Sequence, residues 1–265
     1  MYLDFYGLKT SPFNITSDPN FFFESLSHRQ AFACLLYGIQ EKKGIILITG
    51  EVGTGKTTLC KALLNRLPSQ IKTSLILNPY FSEVQLLQAI VEDFGLSPEK
   101  KNRLEMVKRL NSFLVEVNAN GGNAVVVIDE AQDLNNRQLE QIRLLSNLET
   151  SQGKLLQVVL VGQPELVEKL KQFRLRQIRQ RVSVKYNILP LQEEEVKDYI
   201  EFRLQKVGGH NIIISPESYK IIFEFSKGIP RLINMLCDRA LLYGFTQEKK
   251  IFDAETFKNC IGELQ

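Results

Sequence analysis

The sequence predicts an α/β fold, a five-stranded parallel sheet flanked by helices and followed by a small all-helical domain. Three observations predict it. Short apolar runs alternate with helical patterns through the first two-thirds of the chain, the signature of βα units and a parallel sheet. One of these runs, Ile45 to Thr49, leads into Gly50-Glu51-Val52-Gly53-Thr54-Gly55-Lys56-Thr57 and then a helical pattern. After Pro190 the strand-like runs stop and four helical patterns follow.

The chain has 265 residues, 44% hydrophobic and 24% charged, enough to fill a core and a smaller appended domain. A net charge of +3 is too weak to argue for nucleic acid by itself. Cys34, Cys60, Cys237 and Cys260 are scattered without metal-like spacing, which points to reduced thiols. No apolar run approaches the roughly 18 residues that span a bilayer, so a soluble chain is expected. No internal repeat or low-complexity stretch appears.

In chain order, residues 1–25 are rich in aromatics and turn formers without clean periodicity. They read as an apron packed on the core, alone or with a share in binding a nucleotide base. Ser27 reads as the N-cap of a helix from His28 to Lys43, with Gly44 as its stop. Strands are expected at Ile45–Thr49, Thr73–Leu77, Ala124–Ile128, Leu155–Val161 and Val182–Ile188. Between them fall helices at Thr58–Leu67, Glu83–Phe94, Leu104–Val117, Asn135–Glu149 and Glu165–Lys171. Helices at Glu193–Val207, Pro216–Ser226, Pro230–Gln247 and Ala254–Leu264 complete the pattern. The expected domains are 1–189 and 190–265.

The stretch from Gly50 to Thr57 has the spelling and the strand–helix context of a P-loop. Its glycines permit backbone conformations in which successive N–H groups converge on phosphate oxygens, helped by the positive end of the following helix. Lys56 is expected on the β- and γ-phosphates and Thr57 on Mg²⁺, with Thr58 beside them. Asp129 and Glu130 end a buried strand, where two adjacent carboxylates are costly unless they face a cavity or metal. Asp129 suits the Mg²⁺, and Glu130 suits polarising a water for attack on the γ-phosphate. The paired carboxylates favour a nucleotide hydrolase.

GEVGTGKTT, VVVIDEAQDL, VGQPEL, LRQIRQRVSVKYNILPL and GIPRLIN, with the opening FYGLKTSPFNITSDPNFFFES, resemble the AAA+ ATPases of the ExeA/GspA type over nearly the whole chain. The resemblance implies an ATP- and Mg²⁺-dependent AAA+ core with a helical lid, the nucleotide lying between them. It implies a ring-like homo-oligomer serving a secretion, pilus or envelope-assembly machine. Location is expected to be cytoplasmic, peripheral to the inner membrane through a partner or a further C-terminal segment. It casts Gln163 as sensor 1, although Asn or Thr is commoner there, and Arg231 as sensor 2. A cation in the first turn of a helix is disfavoured unless a bound phosphate offsets it. Asn78 is either a polar residue holding Glu130 inactive or a turn former before Pro79. Arg181 is the first choice for an arginine finger supplied to a neighbouring subunit, with Arg176 and Arg179 as alternatives and Arg174 in the same cluster. His28 and Arg29 are either adenine contacts or an ordinary helix start. Lys169 and Lys171 read as solvated. A DNA-associated regulatory ATPase of the TniB transposition type is the alternative class.

Overall fold

The computed structural model describes residues 2–97, 102–151 and 153–264; Met1 and Gln265, the ends of the expected domains, lie outside them. The chain forms two compact units. One comprises Arg29–Gly50 and Leu59–Ile188, the other Met1–His28, Glu51–Thr58 and Leu189–Gln265.

The first unit is built on five parallel strands: β1 (Ile45–Gly50), β2 (Ile71–Ile76), β3 (Asn123–Ile128), β4 (Gln157–Gly162) and β5 (Val182–Ile188). Their spatial order is β2-β3-β4-β1-β5. Composition explains the order. The runs IILITG and QVVLVG are buried along their whole length, as is all of β3 after its first residue. Such runs suit strands covered on both faces. β2 and β5 alternate between more and less buried positions and place Lys72 and Lys185 outward, as edge strands do. β1 pairs with β4 from Ile45↔Val158 to Thr49↔Gly162, and β3 with β4 from Val125↔Gln157 to Ile128↔Leu160. Leu86, Leu87, Ile90, Met106, Leu110 and Leu114 pack with alternate residues of β1, β3 and β4 into one core. Because all five strands run the same way, the residues that leave β3 and β4 emerge at the same sheet edge, where open α/β sheets gather ligands.

Several elements differ from expectation. The helix before β1 runs Leu26–Gln40. Ser25, not Ser27, supplies the hydroxyl that accepts from a first-turn amide, that of His28 at 3.2 Å. The Ser27 hydroxyl instead accepts from Leu189 N at 2.8 Å. Helical structure from residue 136 stops at Leu145, ahead of a short antiparallel hairpin pairing Glu149 with Lys154. The basic stretch Arg176–Arg181 is itself a helix.

The second unit packs helices Glu193–Lys206, Pro216–Ser226, Pro230–Thr246 and Ala254–Leu264 around Val196, Ile200, Ile222, Ile233, Leu236 and Phe257. Strands do not stop at Pro190, since Ile213–Ile214 pairs in parallel with Ile251–Phe252. The aromatic N-terminal segment belongs to this unit, and Tyr6, Leu8 and Phe13 are part of its core. Arg203 fastens it. The buried guanidinium donates to Pro12 O at 2.5 Å, Asn14 O at 3.1 Å and the Tyr199 hydroxyl at 2.9 Å, and lies over the Phe21 ring. Carbonyl oxygens and ring faces thus meet a charge that burial would otherwise penalise heavily. No helix among the described residues is long and apolar enough to cross a membrane.

Candidate functional site

The expected phosphate loop, Gly50 to Thr57, starts at the last residue of β1, and a helix opens within it at Lys56. Gly53 and Gly55 have φ of 84° and 90°, the left-handed region that a side chain disfavours. Space is equally restrictive. A Cβ on Gly53 would stand 2.6 Å from Arg231 Cβ, and one on Gly55 would stand 3.1 Å from His28 Nε2. The loop is drawn together at the Glu51 carbonyl, which accepts from Thr54 N at 3.3 Å, Thr54 Oγ1 at 2.8 Å and Lys56 Nζ at 2.9 Å.

Two further anchors hold the loop carbonyls. Arg231 N donates to Gly53 O at 3.2 Å, using an N–H that the first turn of the Pro230–Thr246 helix leaves unpaired. His28 Nε2 lies 2.9 Å from Thr54 O. The Arg231 side chain is exposed. Its helix starts where Gly228, with φ 74°, meets the chain near Leu191: a Cβ there would fall 2.0 Å from Leu191 O. GIPR is therefore a packing signature as well as a cation at a helix start.

The sheet unit carries the carboxylates. Asp129 follows β3 and is 2% exposed. Its N–H donates to Ile76 O at 2.8 Å, and its Oδ1 accepts from Glu130 N at 2.9 Å. Glu130 has φ 49°, a left-handed conformation rare for a non-glycine residue and of the kind that clusters at functional sites. Its Oε2 accepts from Gln132 Nε2 at 2.7 Å and from Gln163 Nε2 at 3.4 Å. Gln132 Oε1 in turn accepts from Gln163 N at 3.1 Å. Gly162 makes room for this amide, since a Cβ there would stand 2.8 Å from Gln132 Oε1. The ends of β3 and β4 are thereby tied through one side chain that sequence reasoning passed over. Lys169, expected in solvent, donates to the carbonyls of Gln132 and Leu134 and braces the same turn.

Other predicted residues stand as follows. Asn78 is exposed, and its Oδ1 accepts from Tyr80 N at 3.2 Å in a local turn. His28 is buried rather than at a surface helix start. Of the arginines, Arg174 donates to Gln172 Oε1 at 3.0 Å, and Arg176 lies 4.5 Å from the Phe173 ring centre. Arg179 donates to Lys171 O at 3.2 Å. Arg181 is half-buried, and its charge reaches Glu149, whose carboxyl is held low first by Lys154. Arg176 and Arg179 are exposed.

Asp129 and the Thr57 hydroxyl are hard oxygen donors of the type Mg²⁺ takes, and Mg²⁺ commonly uses one or two protein ligands with phosphates and water. Each of the two side chains, taken by itself, has the donor chemistry that suits that ion.

Comparison with known proteins follows the same lines. An AAA domain family matches residues 39–170. General secretion pathway protein A of Aeromonas hydrophila is 46% identical over 248 residues, covering 93% of this chain and 45% of that protein. The chain thus spans less than half the length of this relative. Among solved structures, Aeropyrum pernix ORC2 in ADPNP–ADP complexes has a TM-score of 0.67 at 15% identity, covering 89% of this chain and 66% of that one. A. pernix ORC1 in complex with DNA has a TM-score of 0.67 at 16% identity, covering 94% and 67%. The Thermotoga maritima RuvB Holliday junction branch migration motor has a TM-score of 0.59 at 17% identity, covering 89% and 68%. At such identities the structural likeness speaks for the fold alone. With the P-loop spelling, the strand-end Asp-Glu pair and the extended similarity in sequence, the chain is similar to general secretion pathway protein A and carries a match to an AAA domain family over residues 39–170.

Proposed function

We propose that this chain binds Mg²⁺-ATP, hydrolyses it, and uses the cycle to do conformational work in a secretion, pilus or envelope-assembly machine. The observation that carries hydrolysis is Glu130, held in a strained backbone conformation with its carboxylate gripped by Gln132 and Gln163. A carboxylate so fixed can take a proton from an attacking water, and a positioned general base contributes about 10²–10⁴-fold to rate. Gly50 through Thr58 bind the phosphates, Lys56 neutralising developing charge on them. Thr57 and Asp129 hold the Mg²⁺, which supplies Lewis-acid stabilisation of phosphate oxygens when bound. Gln163 orients the water, and Arg231 contacts phosphate from the Pro230–Thr246 helix. Asn78 is either a polar residue that holds Glu130 inactive or the turn former before Pro79, and its bond to Tyr80 N favours the turn. Arg181 is the first candidate for a finger given to an adjacent copy, with Arg176 and Arg179 next, in a ring-like oligomer that acts from the cytoplasm. The secretion assignment rests on the similarity to general secretion pathway protein A.

The test is turnover of ATP with Mg²⁺ by wild type, Lys56→Ala and Glu130→Gln. Lys56→Ala is expected to lose binding. Glu130→Gln is expected to keep it and fall at least about 100-fold in kcat. Wild type that binds ATP and releases no phosphate with any protein or DNA activator contradicts the hydrolase. Salt-dependent DNA binding that stimulates turnover would favour the DNA-regulatory class instead.

A further inference from the structure

We propose that His28 is a positioning residue for the phosphate loop, setting the direction of the Gly55 N–H through the Thr54 carbonyl. This rests on the reading of residues 50–57 as a nucleotide site and deepens it.

A carbonyl oxygen only accepts, so the 2.9 Å contact to Thr54 O requires the proton on His28 Nε2. In the neutral ring Nδ1 is then an acceptor, and Ser25 Oγ lies 2.7 Å from it. The serine hydroxyl donates its one proton there while accepting from His28 N at 3.2 Å. Each polar atom of the pair has one complementary partner, and the tautomer is fixed by the far side of the ring. Ser25 is 1% and His28 5% exposed, so solvent offers no substitute partner. Phe22 packs edge-on against the imidazole, with ring centres 5.4 Å apart and an interplanar angle of 89°. Burial keeps the ring neutral by lowering its pKa.

The consequence for the loop is geometric. A trans peptide is planar, with its C=O and N–H pointing in opposite directions. Holding Thr54 O against His28 therefore aims the Gly55 N–H away from the imidazole. Gly55 sits at φ 90° with its missing Cβ 3.1 Å from His28 Nε2, so the ring also fills the space behind the glycine. The preceding peptide is held likewise, Gly53 O by Arg231 N and Thr54 N by Glu51 O. His28 thus fixes the Thr54–Gly55 peptide, and with it the Gly55 N–H, before phosphate arrives, and preorganisation of that kind raises affinity by removing the cost of ordering. The segment around Phe22, Ser25 and His28 acts on nucleotide without touching it.

The experiment is equilibrium binding of a fluorescent ATP analogue to the full chain, with thermal unfolding measured in parallel. The variants are His28→Ala, His28→Gln, Ser25→Ala and Lys56→Ala. His28→Ala leaves a buried carbonyl unpaired and is expected to weaken binding about tenfold or more. His28→Gln, whose amide N–H can reach where Nε2–H does, is expected to stay within about threefold of wild type. Ser25→Ala, which releases the tautomer, is expected to fall between them, and it carries the test should His28→Ala not fold. Wild-type affinity in His28→Ala and Ser25→Ala, with binding lost in Lys56→Ala, would overturn the His28 assignment alone. Equal losses in His28→Ala and His28→Gln that track the melting temperature would make His28 a packing residue only. Undiminished binding in Lys56→Ala would overturn the nucleotide site and the assignment with it.

Discussion

Glu130 shows how backbone and side chain cooperate at one residue. Its left-handed conformation costs about 1–3 kcal/mol unless its surroundings compensate. The Asp129 carboxylate, the Gln132 amide and the Gln163 amide supply that compensation. Gln132 is bonded to both Glu130 and Gln163, so Gln132→Ala is expected to lower kcat about tenfold with KM within about threefold. A raised KM at unchanged kcat in steady-state assays would instead mean that Gln132 supports binding. His28 gives a second residue-scale prediction. Burial holds its pKa below the ordinary value of about 6.5, against weaker upward pulls from the Thr54 carbonyl and the Glu195 charge. As pH falls, the unfolded chain takes up this proton first. The contribution is therefore complete above about pH 6.5 and is lost as pH falls toward the lowered folded value. Denaturant unfolding at pH 7.5, 6.5 and 5.5 is expected to show wild type losing more stability than His28→Gln across that window.

At the scale of elements, the start of the Pro230–Thr246 helix is the most constrained junction. Gly228 combines a positive φ with a backbone approach that leaves no room for a methyl group, and its carbonyl accepts from Leu191 N at 2.9 Å. Gly228→Ala is expected to cost about 3 kcal/mol or more, read from denaturant midpoints, whereas Gly262→Ala, where a Cβ would meet nothing, should be nearly neutral. The legible elements were those whose pattern is local. Ile45–Thr49 and Ala124–Ile128 are unbroken apolar runs, and the phosphate loop carries its own glycine spacing, so strand, loop and Asp-Glu pair could be read directly. The Glu149–Lys154 hairpin and the Ile213–Ile214 pairing with Ile251–Phe252 are two residues deep on each side, too short to set a period. The roles of His28 and Gln132 depend on partners 26 and 31 residues away, Thr54 and Gln163. Spacing along the chain holds no trace of such contacts. The N-terminal aromatics were legible as packing residues, but their place in the helical unit's core follows from Arg203 and the residues around it.

At the scale of the molecule, the chain combines a parallel sheet unit with a helical unit that also holds the phosphate loop. The proposed function needs a further copy, because an arginine finger stabilises transition-state charge on a neighbour's nucleotide and is worth about 10³–10⁵ in kcat where it operates. Specific activity is accordingly expected to rise with protein concentration and to level off as oligomers saturate; a flat profile over a wide range would argue for a self-sufficient site. The most direct measurement of the central claim is ATP turnover by Glu130→Gln and Arg181→Ala, each alone and then mixed. Each variant alone is expected to bind ATP without turnover and the mixture to recover activity, since mixed oligomers pair an intact Glu130 with an intact finger. Full activity in Arg181→Ala alone, with the protein monomeric in ATP, would contradict that claim.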